Sequence, residues 1–182
     1  MKYQRQGGLT IPELMIGIAL FSIVVSMAAP SFQNLMRRQE LNSQMGLLNS
    51  TLAYARNEAI SRQQNVAFCA SSNGTSCLAA SKDWSAGWLV FIDADNDGIA
   101  DAGETILRRG GEAGGSASLR VADTNPSPLA IRYNQSGERE SGVSTLWLCA
   151  GNADAGADVG KSKTITVSNV GSTRVAKGAT CP

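Results

Sequence analysis

The sequence predicts an α+β protein in which one long N-terminal helix packs on an antiparallel β-sheet head. The chain has 182 residues, enough for one globular domain and an additional element. Residues 9–64 contain two successive helical patterns, the first apolar throughout and the second amphipathic. From residue 65 onward, short strand-like segments alternate with clusters of Gly, Ser, Asn and Asp. These patterns divide the chain into a helical part and a β-rich part.

The composition excludes several classes of enzyme. The chain has no His, which removes the Ser-His-Asp and Cys-His nucleophile systems, His-ligated zinc and an imidazole general base. It also lacks the G-x-S-x-G motif of many hydrolases. The formal net charge of +1 argues against polyanion binding as the main activity. We therefore expect a non-enzymatic protein that requires no cofactor.

Residues 9–30 are predicted to form the transmembrane half of the helix. No charged residue lies between Leu14 and Met36, and a helix that crosses the bilayer core needs about 20 mostly apolar residues. Lys2 and Arg5 precede this run and indicate a cytoplasmic N-terminus. The alternative is a secretory signal peptide cleaved near residues 26–28. Glu13 at the head of the run and the helical pattern beyond it argue against that alternative.

The segment GLTIPEL at residues 8–14 resembles the class III signal of type IV pilin-like proteins. The resemblance implies that residues 1–8 are a leader, that prepilin peptidase cleaves between Gly8 and Leu9, and that Leu9 becomes N-methylated. Glu13 is then the fifth residue of the mature chain, where the resemblance implies a contact with the N-terminal amine of the neighbouring subunit. A carboxylate inside a membrane segment is costly and usually functional. The alternative is an interfacial glutamate that reaches the lipid headgroups.

Residues 31–64 are predicted to continue as an amphipathic periplasmic helix. Its apolar residues recur at intervals of four and three, which places them on one helical face: Leu41, Met45, Leu48, Leu52, Ala55 and Ala59. We expect this apolar stripe to lie against the sheet. Pro30 is expected to kink the helix.

Residues 65–182 are predicted to form the β-rich head. The expected strands are Val66–Ala70, Gly87–Asp93, Thr105–Arg109, Leu119–Ala122, Leu129–Tyr133, Thr145–Cys149 and Lys163–Val170. Short turns between strands predict antiparallel pairing. In the last strand, Ile165 and Val167 are expected to point inward, and Thr164, Thr166 and Ser168 outward.

The rest of the chain resembles the minor pilins and pseudopilins of the GspH/FimT/FimU group. The similarity lies in the following residues and segments: Cys69 and Cys77, Trp84, GWLVF at 87–91, Asp93 to Glu104, Leu107-Arg108, Cys149 and Cys181. It implies a structural subunit in the tip or priming complex of a type IV pilus or type II secretion pseudopilus. Its expected partners are other major and minor pilins or pseudopilins, prepilin peptidase and the inner-membrane assembly platform. The expected location is the inner membrane with a periplasmic head, and then the filament.

Four cysteines in a periplasmic domain favour two disulfides. Cys69 and Cys77 are close in sequence and flank a polar turn, which favours a disulfide between them. Cys149 and Cys181 then remain as the second pair. The alternative is a zinc site built from all four thiolates. The intervals of seven and 31 residues within the two pairs do not match short zinc knuckles.

Residues 93–104 match the EF-hand calcium-loop template D-x-D-x-D-G-x5-E at every ligand position. The predicted calcium ligands are the side chains of Asp93, Asp95, Asp97, Asp101 and Glu104 and the carbonyl of Ile99. The alternative is a solvated acidic turn between two strands. We expect five carboxylates within twelve residues to repel one another unless a cation or water screens them.

A basic C-terminal stretch suggests a second function, DNA binding for natural transformation. Its cations are Lys161, Lys163, Arg174 and Lys177. In the DNA-uptake members of the family, a Gly-Arg-x-Arg motif near the end binds DNA. Gly171 and Arg174 match that motif, but Ser172 stands at the first Arg position and weakens the resemblance.

Overall fold

In the computed structural model of the chain, the described residues are 10–78, 81–113, 117–121, 130–142, 145–150 and 162–178. Within them, one helix is followed by nine strands. The helix α1 spans Ile11–Arg62; the strands are β1 Val66–Ala70, β2 Trp88–Ile92, β3 Ile106–Gly110, β4 Ala117–Val121, β5 Ala130–Tyr133, β6 Arg139–Gly142, β7 Thr145–Ala150, β8 Ser162–Val167 and β9 Thr173–Lys177. The chain divides into two compact units at Arg38 and Gln39, and each is described by itself.

The first unit contains the N-terminal part of α1. The carbonyl of Thr10 accepts a hydrogen bond from the amide of Leu14 at 3.1 Å, and Glu13 lies in the first turn. A carboxylate there interacts favourably with the positive end of the helix dipole. The large apolar side chains of this part are exposed: Ile11, Leu14, Met15, Ile16, Ile18, Leu20, Phe21, Ile23, Val24, Val25, Phe32, Leu35 and Met36.

Within the described residues, no helix combines the length and the apolar character needed to cross a membrane.

The second unit begins with the head-packed part of α1. All six residues of the predicted apolar stripe are buried, from Leu41 at 6% exposure to Leu52, Ala55 and Ala59 at 0%. This confirms the stripe. The helix ends at Arg62 because Gln63 takes a left-handed conformation (φ 55°), and the amide of Gln64 bonds back to the carbonyl of Ala59 at 3.3 Å. Such a left-handed residue commonly terminates a helix.

The strands form two sheets where the sequence predicted one. A five-stranded sheet has the order β3-β2-β1-β5-β6, and a four-stranded sheet has the order β4-β7-β8-β9. Every strand pair is antiparallel, which confirms the predicted pairing. The main core contains the stripe of α1 and residues of both sheets. At its centre, Phe68 packs against Trp84 and Trp88 with ring centroids 5.3 and 5.4 Å apart.

The predicted strand list requires several corrections. β6 and β9 were not predicted, and the last expected strand ends at Val167 because residues 168–172 form a turn with Gly171 at φ 77°. Thr164, expected to point outward, is only 7% exposed. It lies between Trp147 and Ala176 in the register, on a strand that is flanked on both sides. Ala122 and Leu129 lie outside the described residues.

A second, smaller apolar cluster covers the other face of the five-stranded sheet. Its members are Ala67, Cys69, Leu89, Phe91, Ala100 and Ala130, with Cys77 and Ile106 packed against them. Two connections supply the covering residues, namely the segment 71–78 after β1 and the loop 93–104 after β2. This packing positions the acidic segment found in the sequence.

Candidate functional site

The acidic loop (residues 93–104) connects β2 to β3 and packs against the outer apolar cluster. Asp93 at its start is fully buried, and its amide donates to the carbonyl of Asn65 at 2.9 Å. Ala100 in its middle is 9% exposed and belongs to the cluster. Asn96 and Gly98 have positive φ of 62° and 78°, which lets the chain turn sharply between the acidic residues. The loop is therefore anchored at its start and middle.

Three carboxylates of the acidic loop converge. One oxygen each from Asp93, Asp95 and Asp97 lies within 4.8 Å of the others. Backbone amides hold these side chains in place: Asp93 accepts from Asp97 at 3.0 Å and from Gly98 at 3.1 Å, and Asp97 accepts from Ile99 at 2.7 Å. Carboxylate oxygens brought together in this way are the donor type that hard cations such as Ca²⁺ prefer.

Asp101 and Glu104 lie outside this group of three. Glu104 instead accepts hydrogen bonds from the amide of Ala94 at 2.8 Å and the amide of Asp101 at 3.1 Å. These bonds tie the end of the acidic loop to its beginning. Asp95, Asp101 and Glu104 also line an open cavity of about 530 Å³ with Gln64 and Thr105. The structure thus brings together three of the five predicted carboxylate ligands.

The electrostatics of Asp93 reflect its burial. Desolvation raises the pKa of the Asp93 carboxyl above 3.8, while the hydrogen bond from Gly98 and the charge of Arg132 act in the opposite direction. The Arg132 guanidinium donates to the carbonyl of Asn96 in the loop. Sequence reasoning did not identify Arg132, because the pairing of β5 with β1, which places it opposite Ala67 on the outer face, is visible only in the structure. One cation of the chain therefore offsets part of the carboxylate repulsion.

The predicted disulfide between Cys69 and Cys77 is present and confirms that pairing. The Sγ atom of Cys77 lies 3.8 Å from the carbonyl oxygen of Gly98, so the bridge contacts the acidic loop. Cys149 is also disulfide-bonded. Cys181 lies outside the described residues, and its pairing with Cys149 stays a prediction that non-reducing peptide mapping can test.

The three predicted basic residues that the structure describes do not share one face of the sheet. Lys163 lies directly opposite Lys177 in the β8–β9 register, and its ammonium donates to Asn42 of α1. Arg174 lies an odd number of residues from Lys177 along β9, so its side chain occupies the opposite face of the sheet. Lys161 lies outside the described residues. Desolvation and the neighbouring charge of Lys177 lower the pKa of Lys163.

Of the predicted processing and assembly residues, Gly8 and Leu9 lie outside the described residues. Glu13 is exposed in the first turn of α1, beside exposed apolar side chains such as Leu14 and Ile16. Among the residues that the structure describes, nothing covers these side chains, and exposed apolar surface of this extent is typical of a contact site.

Comparison with protein families agrees with both parts of the chain. Residues 44–171 match the family described as type II transport protein GspH, and residues 3–29 match the prokaryotic N-terminal methylation motif. Among solved structures, the chain is similar to the type IV minor pilin FimU of Pseudomonas aeruginosa. One crystal form has a TM-score of 0.56 at 19% identity over 81% of this chain and 96% of FimU. A second has a TM-score of 0.53 at 19% identity over 78% and 97%. No curated protein matches the sequence.

Proposed function

Because the chain belongs to the family of the type II transport protein GspH and carries the N-terminal methylation motif, it is a minor pilin or pseudopilin, and we propose that it joins the tip or priming complex of its filament. In this role it is a structural subunit that supports pilus biogenesis or protein secretion. Its partners are then the other pilins or pseudopilins, prepilin peptidase and the inner-membrane assembly platform. The DNA-binding alternative is not favoured, since Arg174 lies on the opposite sheet face from Lys163 and Lys177.

We further propose that the protein is inserted in the inner membrane once, with the N-terminus in the cytoplasm and the head in the periplasm. The methylation motif covers residues 3–29, and Lys2 and Arg5 precede the apolar run. Exposed apolar side chains surround the first part of α1. Lipid covers them before assembly, and neighbouring subunits cover them within the filament. The disulfide between Cys69 and Cys77 suits an oxidising compartment.

The proposed processing is tested by the intact mass of protein extracted from membranes. Cleavage between Gly8 and Leu9 removes Lys2 and Arg5, so the side-chain charge changes from 16 − 15 = +1 to 14 − 15 = −1. Methylation adds one methyl group to Leu9. A mature N-terminus near residue 29 would contradict the proposal and indicate a secretory signal peptide.

The proposed assembly role of Glu13 is tested separately. Glu13→Ala should leave cleavage nearly intact and reduce incorporation into sheared filaments, because its partner, the amine of a neighbouring subunit, is met only during assembly. Glu40→Ala, the same substitution farther along α1, is the matched control and should be incorporated normally. Normal incorporation of Glu13→Ala would remove the assembly role while leaving the family assignment intact.

Deleting the gene distinguishes the two types of filament. Twitching motility and exoprotein secretion are measured side by side in the deletion strain, together with natural transformation. Loss of twitching alone identifies a type IV pilus subunit, and loss of secretion alone identifies a pseudopilus subunit. Loss of transformation with the other two activities intact would instead favour the DNA-uptake alternative.

We also propose that the acidic loop holds one Ca²⁺. The observation that supports it is the convergence of the Asp93, Asp95 and Asp97 carboxylates to within 4.8 Å. Calcium supplies positive charge where three acidic groups meet and orders the connection between β2 and β3. The chain's own residues hold the carboxylates in place through the amides of Asp97, Gly98 and Ile99.

Thermal unfolding of the full chain in detergent tests this second proposal. A ligand that binds only the folded state raises the melting temperature once its concentration exceeds the dissociation constant. Calcium should therefore raise the melting temperature more than magnesium, and chelator should reverse the rise. Asp95→Asn should abolish the shift, whereas Glu112→Gln, which removes an exposed carboxylate outside the loop, should retain it. Equal shifts for wild type and Asp95→Asn would identify the loop as an acidic turn only.

A further inference from the structure

The outer edge of β9 carries backbone groups with no partner in the described part of the chain. The amide of Gly178 bonds to the carbonyl of Ser162, and the amide of Ser168 bonds to the carbonyl of Ser172. In an antiparallel ladder, hydrogen-bonded and non-hydrogen-bonded residue pairs alternate. These two bonds therefore show that the pairs formed by even-numbered residues of β8 and β9 are the hydrogen-bonded ones.

The amides and carbonyls of Arg174 and Ala176 consequently point toward β8. Those of Thr173, Val175 and Lys177 point away from the sheet. Within the described residues, the amides and carbonyls of these three residues take part in no hydrogen bond. The last four residues of β9 are exposed, Val175 at 44%. A row of free donors and acceptors on an exposed edge is a template for another strand.

The opposite edge of the same sheet is covered. There the amide of Trp84 donates to Leu119 of β4 at 2.8 Å, and the amide of Val121 donates to Lys82 at 2.9 Å. Natural sheets usually protect their edges in this way. Within this four-stranded sheet, the edge at β4 is therefore protected, whereas the edge at β9 is exposed.

Charge at this edge indicates what kind of segment fits it. The side chains of Lys163 and Thr173 bond to asparagines of α1, so the odd-numbered residues of the hairpin face the helix. Lys177 lies on this face directly opposite Lys163, and like charges in that position repel. Arg174 is exposed on the other face. An added strand alternates its side chains and reaches both faces at once.

We propose that β9 is a docking edge that receives an extended acidic segment of a partner protein as a fifth strand of the sheet. The segment carries carboxylates on both faces, one for Arg174 and one for the Lys163–Lys177 pair. A second copy of this chain is a poor fit, because β9 carries two cations and no carboxylate that could pair with them. DNA does not fit either, since a phosphate chain lying on one face reaches only part of these cations.

Peptide binding to the full chain in detergent micelles tests this proposal. The probe is the peptide TEVTEVT, whose two glutamates fall on opposite faces of a strand. The control is TEVEVTT, which has the same composition with both glutamates on one face. Amide exchange measured by NMR should slow at Thr173, Val175 and Lys177 when TEVTEVT binds. Exchange at Arg174 and Ala176, which already bond to β8, should not change.

Two substitutions separate strand addition from simple charge attraction. Val175→Pro removes an outward amide that the β8–β9 ladder does not use, and proline is tolerated at such edge positions. It should weaken TEVTEVT binding by about tenfold or more, because one backbone hydrogen bond is lost and the ring blocks the edge. Lys177→Glu should also weaken binding, whereas Lys82→Glu, the same charge change at the opposite edge, should not.

Several results would contradict the proposal that β9 is a docking edge. Equal binding of the two peptides, or equal slowing of exchange at all five residues of β9, would overturn the proposal. Binding of duplex DNA that exceeds peptide binding and is unaffected by Val175→Pro would identify a basic patch instead. Failure of any of these tests leaves membrane insertion and processing untouched, since they involve a different part of the chain.

Discussion

The first part of α1, residues 11–38, exposes the large apolar side chains that the structure describes, whereas residues 39–62 bury one apolar stripe against the head. Leu20 is 60% exposed and Leu52 is 0% exposed, although both are leucines on the same helix. The second part follows the helical period of an amphipathic segment, and the first part has no charged residue between Leu14 and Met36. The second part thus packs on the chain's own head, whereas the described apolar side chains of the first part are left uncovered.

This difference assigns stability and assembly to different parts of one helix. Within α1, the contacts that stabilise the folded head come from the second part, since Leu52, Ala55 and Ala59 are completely buried in the main core. The exposed side chains of the first part gain little when the head folds, because folding leaves them uncovered. Under the proposed function, lipid or neighbouring subunits cover them. Substitutions can therefore separate folding from assembly.

The largest expected effect comes from Leu52→Ala. Removing this fully buried side chain should lower the free energy of unfolding of the head by about 2–5 kcal/mol, since it leaves a cavity in the core. Leu20→Ala, the matched control, should leave that free energy unchanged. Denaturant unfolding followed by the fluorescence of the buried Trp84 measures both variants. A similar loss of stability in Leu20→Ala would show that the first part of the helix also packs on the head.

An intermediate effect is expected at Arg56, which joins α1 to two turns. Its guanidinium donates to the carbonyl of Gly137 at 2.8 Å and to that of Val170 at 3.0 Å. The turns meet so closely that a Cβ on Gly171 would lie 1.9 Å from the Gly137 oxygen. Loss of the guanidinium leaves both carbonyls without this donor.

Arg56→Ala should lower the free energy of unfolding by about 1–3 kcal/mol. Arg62→Ala removes an exposed guanidinium on the same helix, which pairs with Glu58, and should have no measurable effect. The same unfolding experiment compares the two variants. Amide exchange in the turns at Gly137 and Gly171 should increase only in Arg56→Ala. Equal stability of the two variants would mean that Arg56 does not stabilise this junction.

Some elements of the fold could be predicted from the sequence, and others could not. The stripe from Leu41 to Ala59 is predictable because a helix period repeats over many residues and buried apolar faces follow it. β6 was missed because Arg139–Gly142 has no apolar alternation, and β9 was missed because it is an exposed edge strand. The turn that separates β8 from β9 did carry a signal, since Gly171 follows Asn169 within a polar segment.

The candidate site was likewise predictable only where neighbouring residues in the sequence determine the structure. The spacing of Asp93, Asp95 and Asp97 predicted that these carboxylates would converge, because a turn with Gly98 at φ 78° brings nearby residues together. The burial of Asp93 depends on packing over the outer face of the five-stranded sheet. The contact of Arg132 with Asn96 joins residues 36 positions apart. Long-range packing of this kind leaves no local pattern in a single sequence.

The smallest expected effect concerns Lys163 of β8, which lies opposite Lys177 of β9. Desolvation and the charge of Lys177 lower the pKa of Lys163 below 10.5, so the unfolded state binds this proton more tightly than the folded state does. Stability contributed by this group must then rise with pH as the folded chain releases the proton, and it levels off near 10.5, where the unfolded chain releases it too.

Lys177→Gln removes one of the two causes of this shift. It should therefore stabilise the folded chain slightly at neutral pH, where Lys163 is charged and the two ammonium groups repel one another. The advantage of the variant should shrink as pH rises toward 10.5, because the wild-type chain then loses the repulsion as well. Denaturant midpoints of the two proteins across this pH range measure the difference. Lys82→Gln, far from the pair, should show no such trend. A difference between Lys177→Gln and wild type that does not vary with pH would mean that repulsion between the paired lysines does not act on stability.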